Sequence, residues 1–292
     1  MVRSIVFAAL VLAVAAAPPA RAERVLTPMA HLWVDPDSST ADVGTADAKR
    51  LAAIPSATWL TGGDPYGDAR RLTRAAPPQV PVFVAYNVPG RDCGGYSNGG
   101  AGSATAYRRW INRLASGIGT RTAVVIVEPD ALASGCVRSS LIKYAVTRLS
   151  RLNRTGVYVD AGHSHWQPAT TMATRLKNAG IAKADGFALN VSNYRTNPEL
   201  IAYAEHLGRW HYVLDTSRNG QGPYSGEQDW CNPPGRGLGE RPTTATNTPR
   251  LDAYLWIKTP GESDGECRGG PPAGRWFPAQ AADLIRNANP PL

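Results

Sequence analysis

The sequence predicts a barrel-like α/β fold built on parallel strands, and three observations carry that expectation. Short apolar, β-branched runs alternate with amphipathic helical stretches along most of the chain. Several of the helical stretches are punctuated by proline at the start and glycine at the end. Every apolar run ends in polar residues on its C-terminal side, so one rim collects them all, as in a barrel whose active site lies at the carboxyl ends of its strands. An open doubly wound sheet would instead concentrate its ligand groups at one switch point.

Taken in order, residues 1–22 stand apart. Arg3 gives a positive start, residues 5–17 are an apolar run, and Ala20-Arg21-Ala22 is a small-x-small cleavage site. That is the pattern of a secretory signal peptide, with residues 23–292 as the mature domain. No cysteine follows the apolar run, so lipid attachment is not expected. The runs at 57–60, 80–86, 123–127, 156–159, 186–189, 211–214 and 253–257 read as strands. Between two of them, Tyr107, Trp110, Ile111, Leu114 and Ile118 fall on one helical face, and Arg108, Arg109 and Arg113 on the other. A second helix carries Leu141, Ile142, Ala145, Leu149 and Leu152. A third opens with Pro168 and closes before Gly180, and a fourth opens with Pro198 and closes before Gly208. Strands alternating with helices imply a parallel sheet covered on both faces. The Gly-rich stretch 93–102 has neither the phosphate-loop lysine nor dinucleotide spacing and reads as a flexible loop. The Pro/Gly-rich segments 232–248 and 259–275 read as long loops over the rim.

Composition excludes several classes. A chain of 292 residues that is 43% hydrophobic buries a real core, which rules out disorder and small disulfide-held scaffolds. No interior apolar run approaches the roughly 20 residues of a membrane-spanning helix. The formal charge is +8, from 31 Lys and Arg against 23 Asp and Glu, and loss of Arg3 and Arg21 with the leader lowers it by two. No arginine run exceeds the pairs Arg70-Arg71 and Arg108-Arg109, so a nucleic-acid partner is not expected. Cys93, Cys136, Cys231 and Cys267 make an even set in an exported chain and are candidates for two disulfides, with three pairings open. No C-x-x-C pair is present to suggest zinc.

Asp92, Asp130, Asp160, Asp215 and Asp264 all fall at or just after a strand end, more carboxylate than a core tolerates. Together they point to carboxylate acid/base chemistry, which glycoside hydrolysis requires. One acid must then stay protonated near neutral pH, and a neighbouring carboxylate raises its pKa by like-charge repulsion. Trp33, Trp166, Trp230 and Trp276 lie in polar or Pro/Gly surroundings, where flat apolar faces can stack on pyranose rings. The segment Asp160-Ala161-Gly162-His163-Ser164-His165 has no third imidazole nearby to complete a cation site, and no G-x-S-x-G elbow occurs. Neither a metal nor a cofactor is expected.

The motifs resemble glycoside hydrolase family 6, the inverting cellulases. Seven matches run in family order, through Tyr86-Asn87-Val88-Pro89-Gly90-Arg91-Asp92-Cys93, Val127-Glu128-Pro129-Asp130, Tyr158-Val159-Asp160-Ala161-Gly162-His163, Asn190-Val191-Ser192-Asn193-Tyr194, Asp215-Thr216-Ser217-Arg218-Asn219-Gly220, Trp230-Cys231, and Trp256-Ile257-Lys258 with Pro260-Gly261-Glu262-Ser263-Asp264-Gly265. The resemblance implies a distorted, incomplete (β/α) barrel that cleaves β-1,4-glucosidic bonds with inversion. It implies Asp130 as general acid, Asp92 as the group that raises its pKa and orders the attacking water, and Asp264 as base or charge stabiliser. It implies sugar contacts at Trp33, Asp35, Tyr86, Asp160, His163, Trp166, Asn193, Trp230, Lys258 and Glu262, although Asp35 replaces a different polar side chain. It also implies disulfides Cys93–Cys136 and Cys231–Cys267. Exo-acting members of that family carry long insertions after the positions matching Cys93 and Asp264, so by resemblance the short spans from Cys93 to Tyr107 and from Asp264 to Trp276 imply an open cleft and an endoglucanase acting on a β-1,4-glucan; a secreted monomer is expected. An exo-acting relative and a non-catalytic glucan-binding protein are the alternatives.

Overall fold

The structure is a computed structural model and describes residues 24–292. The signal peptide expected at residues 1–22 lies outside the described residues. Seven parallel strands form one sheet in the order of the chain: β1 (Thr58–Leu60), β2 (Val82–Ala85), β3 (Ala123–Val127), β4 (Thr155–Asp160), β5 (Gly186–Leu189), β6 (His211–Asp215) and β7 (Leu251–Leu255). Each expected run overlaps one of them, with β4 and β6 one residue longer than expected at their ends and β7 starting two residues earlier. Around the sheet stand α1 (Ser39–Val43), α2 (Ala46–Ala52), α3 (Pro65–Ala75), α4 (Ala104–Ile118), α5 (Ala131–Ser134), α6 (Ser139–Leu149), α7 (Ala169–Asn178), α8 (Asn197–Leu207) and α9 (Pro278–Arg286).

The two faces of the sheet are filled differently. Phe83, Val125, Val127, Val157, Val159, Phe187 and Leu214 point outward into one buried cluster with Tyr107, Ile111, Leu114, Ile142, Leu176 and Leu200 of the helices. Their alternates, Val84, Ile126, Tyr158, Ala188, Val213 and Leu255, point inward and fill a second cluster to which, among the described residues, no helix contributes. Helices on one face and side chains packed against each other on the other are the section of a barrel. The expectation of a sheet covered by helices on both faces is corrected accordingly. Leu26 and Leu32 enter the inward cluster from the N-terminal segment and fill its lower end. His31 and Trp33 pair there with Val80, just ahead of β2.

The barrel does not close. Between β7 and β1 there is no ladder, only Ala57 N–H donating to Trp256 C=O at 2.9 Å and Trp59 Nε1 donating to Ile257 C=O at 2.8 Å. On the outer side of this seam Trp256 packs with Leu51 of α2, Leu238, and Ala281 and Leu284 of α9. The incomplete barrel is therefore sealed by elements from the two ends of the chain.

Local chemistry sets the helices. Ser103 caps α4 by accepting from Ala106 N–H at 3.1 Å, and its apolar face is buried as expected. α8 opens with a capping box between Thr196 and Glu199, with Pro198 in its first turn, and ends at Gly208. Pro168 stands just before α7. The segment 259–275 does run over the rim, whereas 232–248 does not. Gly239 N–H bonds to Thr216 C=O, Thr243 pairs with Tyr254, and the Thr244 hydroxyl reaches Ala30 C=O, so this loop descends along the outside of β7. Its polar backbone is satisfied there by the edge strand and the barrel floor.

Candidate active site

At the carboxyl ends of the strands lies a cavity of about 1240 Å³, which extends across the open seam. Thr58 and Trp59 of β1 line one side of the seam, and Lys258 and Thr259 after β7 line the other. The turns that leave the strands are strained: Asp92, Glu128, Asp130, Asn190 and Ser192 all have positive φ, between 50° and 69°. Left-handed backbone at non-glycine residues costs on the order of 1–3 kcal/mol each and clusters where side-chain direction matters.

The strand-end carboxylates divide into two groups. Glu128, Asp160 and Asp215 are fully buried and bind backbone. Glu128 accepts Asn87 N–H and Val88 N–H at 3.0 Å, tying the end of β3 to that of β2. Asp215 Oδ1 accepts from Ser217 and Ile257, and Oδ2 from Ser192 and Lys258, so it brackets the ends of β5, β6 and β7. Asp160 Oδ2 accepts Asp130 N–H at 2.9 Å and Gly162 N–H at 3.0 Å. Asp92, Asp130 and Asp264 instead line the cavity.

Asp130 sits at the head of α5 with φ of 68°, which turns its carboxyl into the cleft. Its pKa is held well above the usual carboxylate range, first by burial and then by the charges of Asp160, Asp92 and Asp264. Burial is the larger cause, followed by the charge of Asp160 beneath it and then that of Asp92, the residue to which the resemblance assigns that role. Asp92 is also shifted upward by burial, against the pull of Ser97 N–H and Arg91. Its Oδ2 accepts the Ser97 amide at 2.6 Å.

Asp264 is held differently. Its Oδ2 accepts from Arg218 Nη1 at 2.8 Å, Asn232 N–H at 3.0 Å and the Tyr194 hydroxyl at 3.2 Å. Arg218 is fully buried, lies 4.5 Å from the Tyr194 ring centroid, and also donates to Ser192 C=O. A buried guanidinium needs such partners, because an uncompensated charge there is strongly destabilising.

The remaining expected residues distribute unevenly. Asp35, Tyr86, His163, Trp166, Asn193, Trp230, Lys258 and Glu262 line the cavity. Trp33 does not: at 8% exposure it packs into the outward cluster, as the alternate of Leu32, which enters the inward one. Asp160 is 1% exposed and underlies Asp130 rather than facing the cavity. Trp276 packs beside α9 at the seam. Trp59, hidden in a strand-like run, lines the cavity and meets Tyr86 edge-on at 5.2 Å. Arg91 lies 4.9 Å from the Tyr86 ring centroid and donates to Ser97 C=O and Tyr86 C=O, so the stretch expected to be a flexible loop is bonded along its length. Burial pushes the His163 pKa down to about 4, and its Nδ1 accepts the His165 amide, which leaves the proton on Nε2. Lys258 is also shifted downward by burial, and its Nζ donates to Ser263 C=O at 3.2 Å. Disulfides join Cys93 to Cys136 and Cys231 to Cys267. The first fixes the Asp92 turn to the end of α5, and the second fixes the Trp230 loop to the Asp264 loop.

Asp160 makes a direct test of the electrostatics. With Asp160→Asn the amide oxygen still accepts the Asp130 N–H, but the like charge is gone, so the Asp130 pKa falls. A general acid works only while protonated, so the alkaline limb of the kcat profile is expected to move to lower pH. A pH–rate series in which that limb stays put while the rate drops would make Asp160 a purely structural bracket.

A (β/α) barrel that brings a buried carboxyl of raised pKa and two further carboxylates into one cavity at its strand ends is the arrangement of a glycoside hydrolase. The profile of the glycosyl hydrolases family 6 matches residues 29–288, and the chain belongs to that family. It is 42% identical over 314 residues to Endoglucanase A of Thermobispora bispora, covering 97% of this chain and 67% of that one. Endoglucanase A of Cellulomonas fimi is 41% identical, with coverages of 89% and 62%, and Endoglucanase 1 of Streptomyces halstedii is 43% identical, with 95% of each chain covered. The chain thus spans about two thirds of the first two relatives and nearly all of the third. Among solved structures, the endoglucanase Cel6 from Mycobacterium tuberculosis, in complex with methyl-cellobiosyl-4-deoxy-4-thio-β-D-cellobioside, superposes with a TM-score of 0.85 at 45% identity, covering 88% of this chain and 97% of that one. Cellobiohydrolase II from Humicola insolens, in complex with glucose and cellotetraose, gives 0.76 at 26% identity, covering 90% and 98%.

Proposed function

We propose that the chain is a secreted endo-β-1,4-glucanase that hydrolyses cellulose or a related β-glucan with inversion at the anomeric carbon. The observation that carries this is Asp130, a cleft carboxyl whose pKa is raised by burial and by the charges of three other aspartates. It protonates the glycosidic oxygen as the bond breaks. Asp92, across the same cavity, orders the attacking water. The carboxylate of Asp264, pinned by Arg218, supplies fixed negative charge for the oxocarbenium-like transition state. Tyr86 underlies the ring that distorts, while Trp166 and Trp230 offer flat faces, and Asp35, His163, Asn193, Lys258 and Glu262 offer polar contacts. Groups fixed before the substrate arrives need no reorganisation during reaction, which is where electrostatic catalysis gains most.

Endo action is supported by the relatives named endoglucanase at 41–43% identity, against about 31% for those named cellobiohydrolase. Export is supported by the leader sequence and by two disulfides. Among the described residues no helix is long and apolar enough to cross a membrane. The cleft is complete within one chain, which suits a monomer. Two measurements test the proposal. Inversion requires room for a water on the far face of the ring, so proton NMR of freshly released product is expected to show the α-anomer. Viscosity of carboxymethylcellulose is expected to fall well before much reducing sugar accumulates. An initial β-anomer overturns inversion, and cellobiose as nearly the sole early product overturns endo action.

A further inference from the structure

Asp264 is held through its backbone as well as through its carboxylate. Asn232 makes two reciprocal bonds with it: Asn232 N–H donates to the Asp264 carboxylate at 3.0 Å, and Asp264 N–H donates to Asn232 Oδ1 at 2.9 Å. The Nδ2 of Asn232 donates to Gly265 C=O at 2.9 Å and to the Ser263 hydroxyl at 3.1 Å. A backbone N–H only donates and a backbone C=O only accepts, so these contacts fix which end of the side-chain amide is which. Asn232 thus braces both the main chain and the carboxylate of Asp264, and its own backbone lies in the left-handed region, with φ of 44°.

The brace is itself held from 48 residues further along the chain. Gln280, in the first turn of α9, donates from Nε2 to Asn232 Oδ1 at 3.0 Å, and both side chains are buried. Because Asn232 Oδ1 is an acceptor, Gln280 must present its NH2 group there, and its Oε1 then has no partner among the described residues. A buried amide oxygen left unpaired is a cost to the fold, and an apolar side chain at this place would avoid it. α9 cannot drift from the contact, since its Ala281 and Leu284 pack with Trp256 and Leu51 at the seam. Neither Asn232 nor Gln280 lines the catalytic cavity. They line a separate cavity of about 290 Å³, together with Arg236, Arg268 and Phe277.

We propose that Gln280 is a positioning residue for the hydrolysis: it holds Asn232 Oδ1 against the Asp264 amide and so fixes where the Asp264 carboxylate stands in the cleft. One hydrogen bond thereby ties the C-terminal helix to the loop that carries Asp264. A carboxylate that drifts loses its interaction with charge developing in the transition state, while the contacts that hold the sugar in the ground state lie elsewhere in the cavity. The effect of Gln280 therefore falls on kcat and not on KM. The proposal rests on the charge-stabilising role given to Asp264 above, and the experiment separates failure of the one from failure of the other.

The test is a double-mutant cycle in kcat and KM on cellopentaose, with wild type, Gln280→Met, Asp264→Asn and the double variant, each checked for folding by its melting transition. Methionine is close to glutamine in length and volume but cannot donate. Gln280→Met is expected to lower kcat about tenfold, the scale of one lost hydrogen bond, with KM nearly unchanged. In the Asp264→Asn background the same substitution is expected to cost nothing further, because the carboxylate that Gln280 positions is gone. A residue that only packs would lower kcat by the same factor in both backgrounds. Gln280→Ala, which keeps the helix and also removes the donor, takes the place of Gln280→Met if that variant does not fold. Wild-type kcat after loss of the donor, or losses that multiply in the double variant, overturns the proposal and leaves the role of Asp264 intact. Near-wild-type kcat in Asp264→Asn overturns the role of Asp264 and the proposal with it.

Discussion

Asp130→Asn is expected to lower turnover on unactivated β-glucan by about 10²–10⁴-fold, the usual contribution of a positioned general acid, while binding of cello-oligosaccharides survives. Asparagine keeps the size of the side chain and the left-handed turn at the head of α5, and removes only the proton that burial and the Asp160 charge keep in place. The loss should be smallest on substrates whose leaving group departs without protonation. Parallel kinetics on cellopentaose and on a dinitrophenyl or fluoride glycoside decide the matter. Equal losses on both kinds would mean that Asp130 does something other than donate a proton.

Asp264 carries two burdens that different substitutions separate. Asp264→Ala removes the carboxylate from a fully buried guanidinium, and breaking such a pair from one side costs about 3–5 kcal/mol. That variant is expected to melt far below wild type, or to fail to fold. Asp264→Asn keeps an oxygen to accept from Arg218, Tyr194 and Asn232, and so is expected to fold while losing most of its kcat with little change in KM. Thermal unfolding alongside steady-state kinetics makes the distinction. An Asp264→Asn enzyme with near-wild-type kcat would leave Asp264 as a counter-ion for Arg218 and nothing more.

The strands were legible because a buried parallel strand is a near-continuous apolar run, and all seven runs overlap one. α7 and α8 were legible from their bordering prolines and glycines. α3 was not: of its 11 residues only Pro65, Ala69, Leu72 and Thr73 are buried, too thin a stripe to mark a face, and Gly67 interrupts it. Carboxylates after strands could be read as chemistry, but not which ones face the cleft. Asp160 and Asp130 differ in the sign of φ at a turn and in where the neighbouring amides point, and neither is written in residue type. The tryptophans illustrate the same limit. Trp33, between His31 and Asp35 in sequence, faces the core, whereas Trp59 sits in an apolar run and faces the cavity. Arg218 lay inside a quoted motif, yet its full burial, and thus its hold on Asp264, depends on contacts 46 residues away.

The sealing of the barrel by its two ends has a kinetic meaning. Leu26 and Leu32 fill the interior from below, Arg24 pairs with Asp252 across 228 residues of sequence, and α2 meets α9 beside Trp256. The first half of the chain has strands but nothing to stop water from entering between them. Every inward-facing side chain stays wet until β7 and α9 arrive, so the entropy of closing the longest loops is spent before the core rewards it. Folding of this domain is therefore a late, concerted event governed by non-local contacts, and the interval before it is when Cys93 and Cys231 must wait for partners 43 and 36 residues downstream.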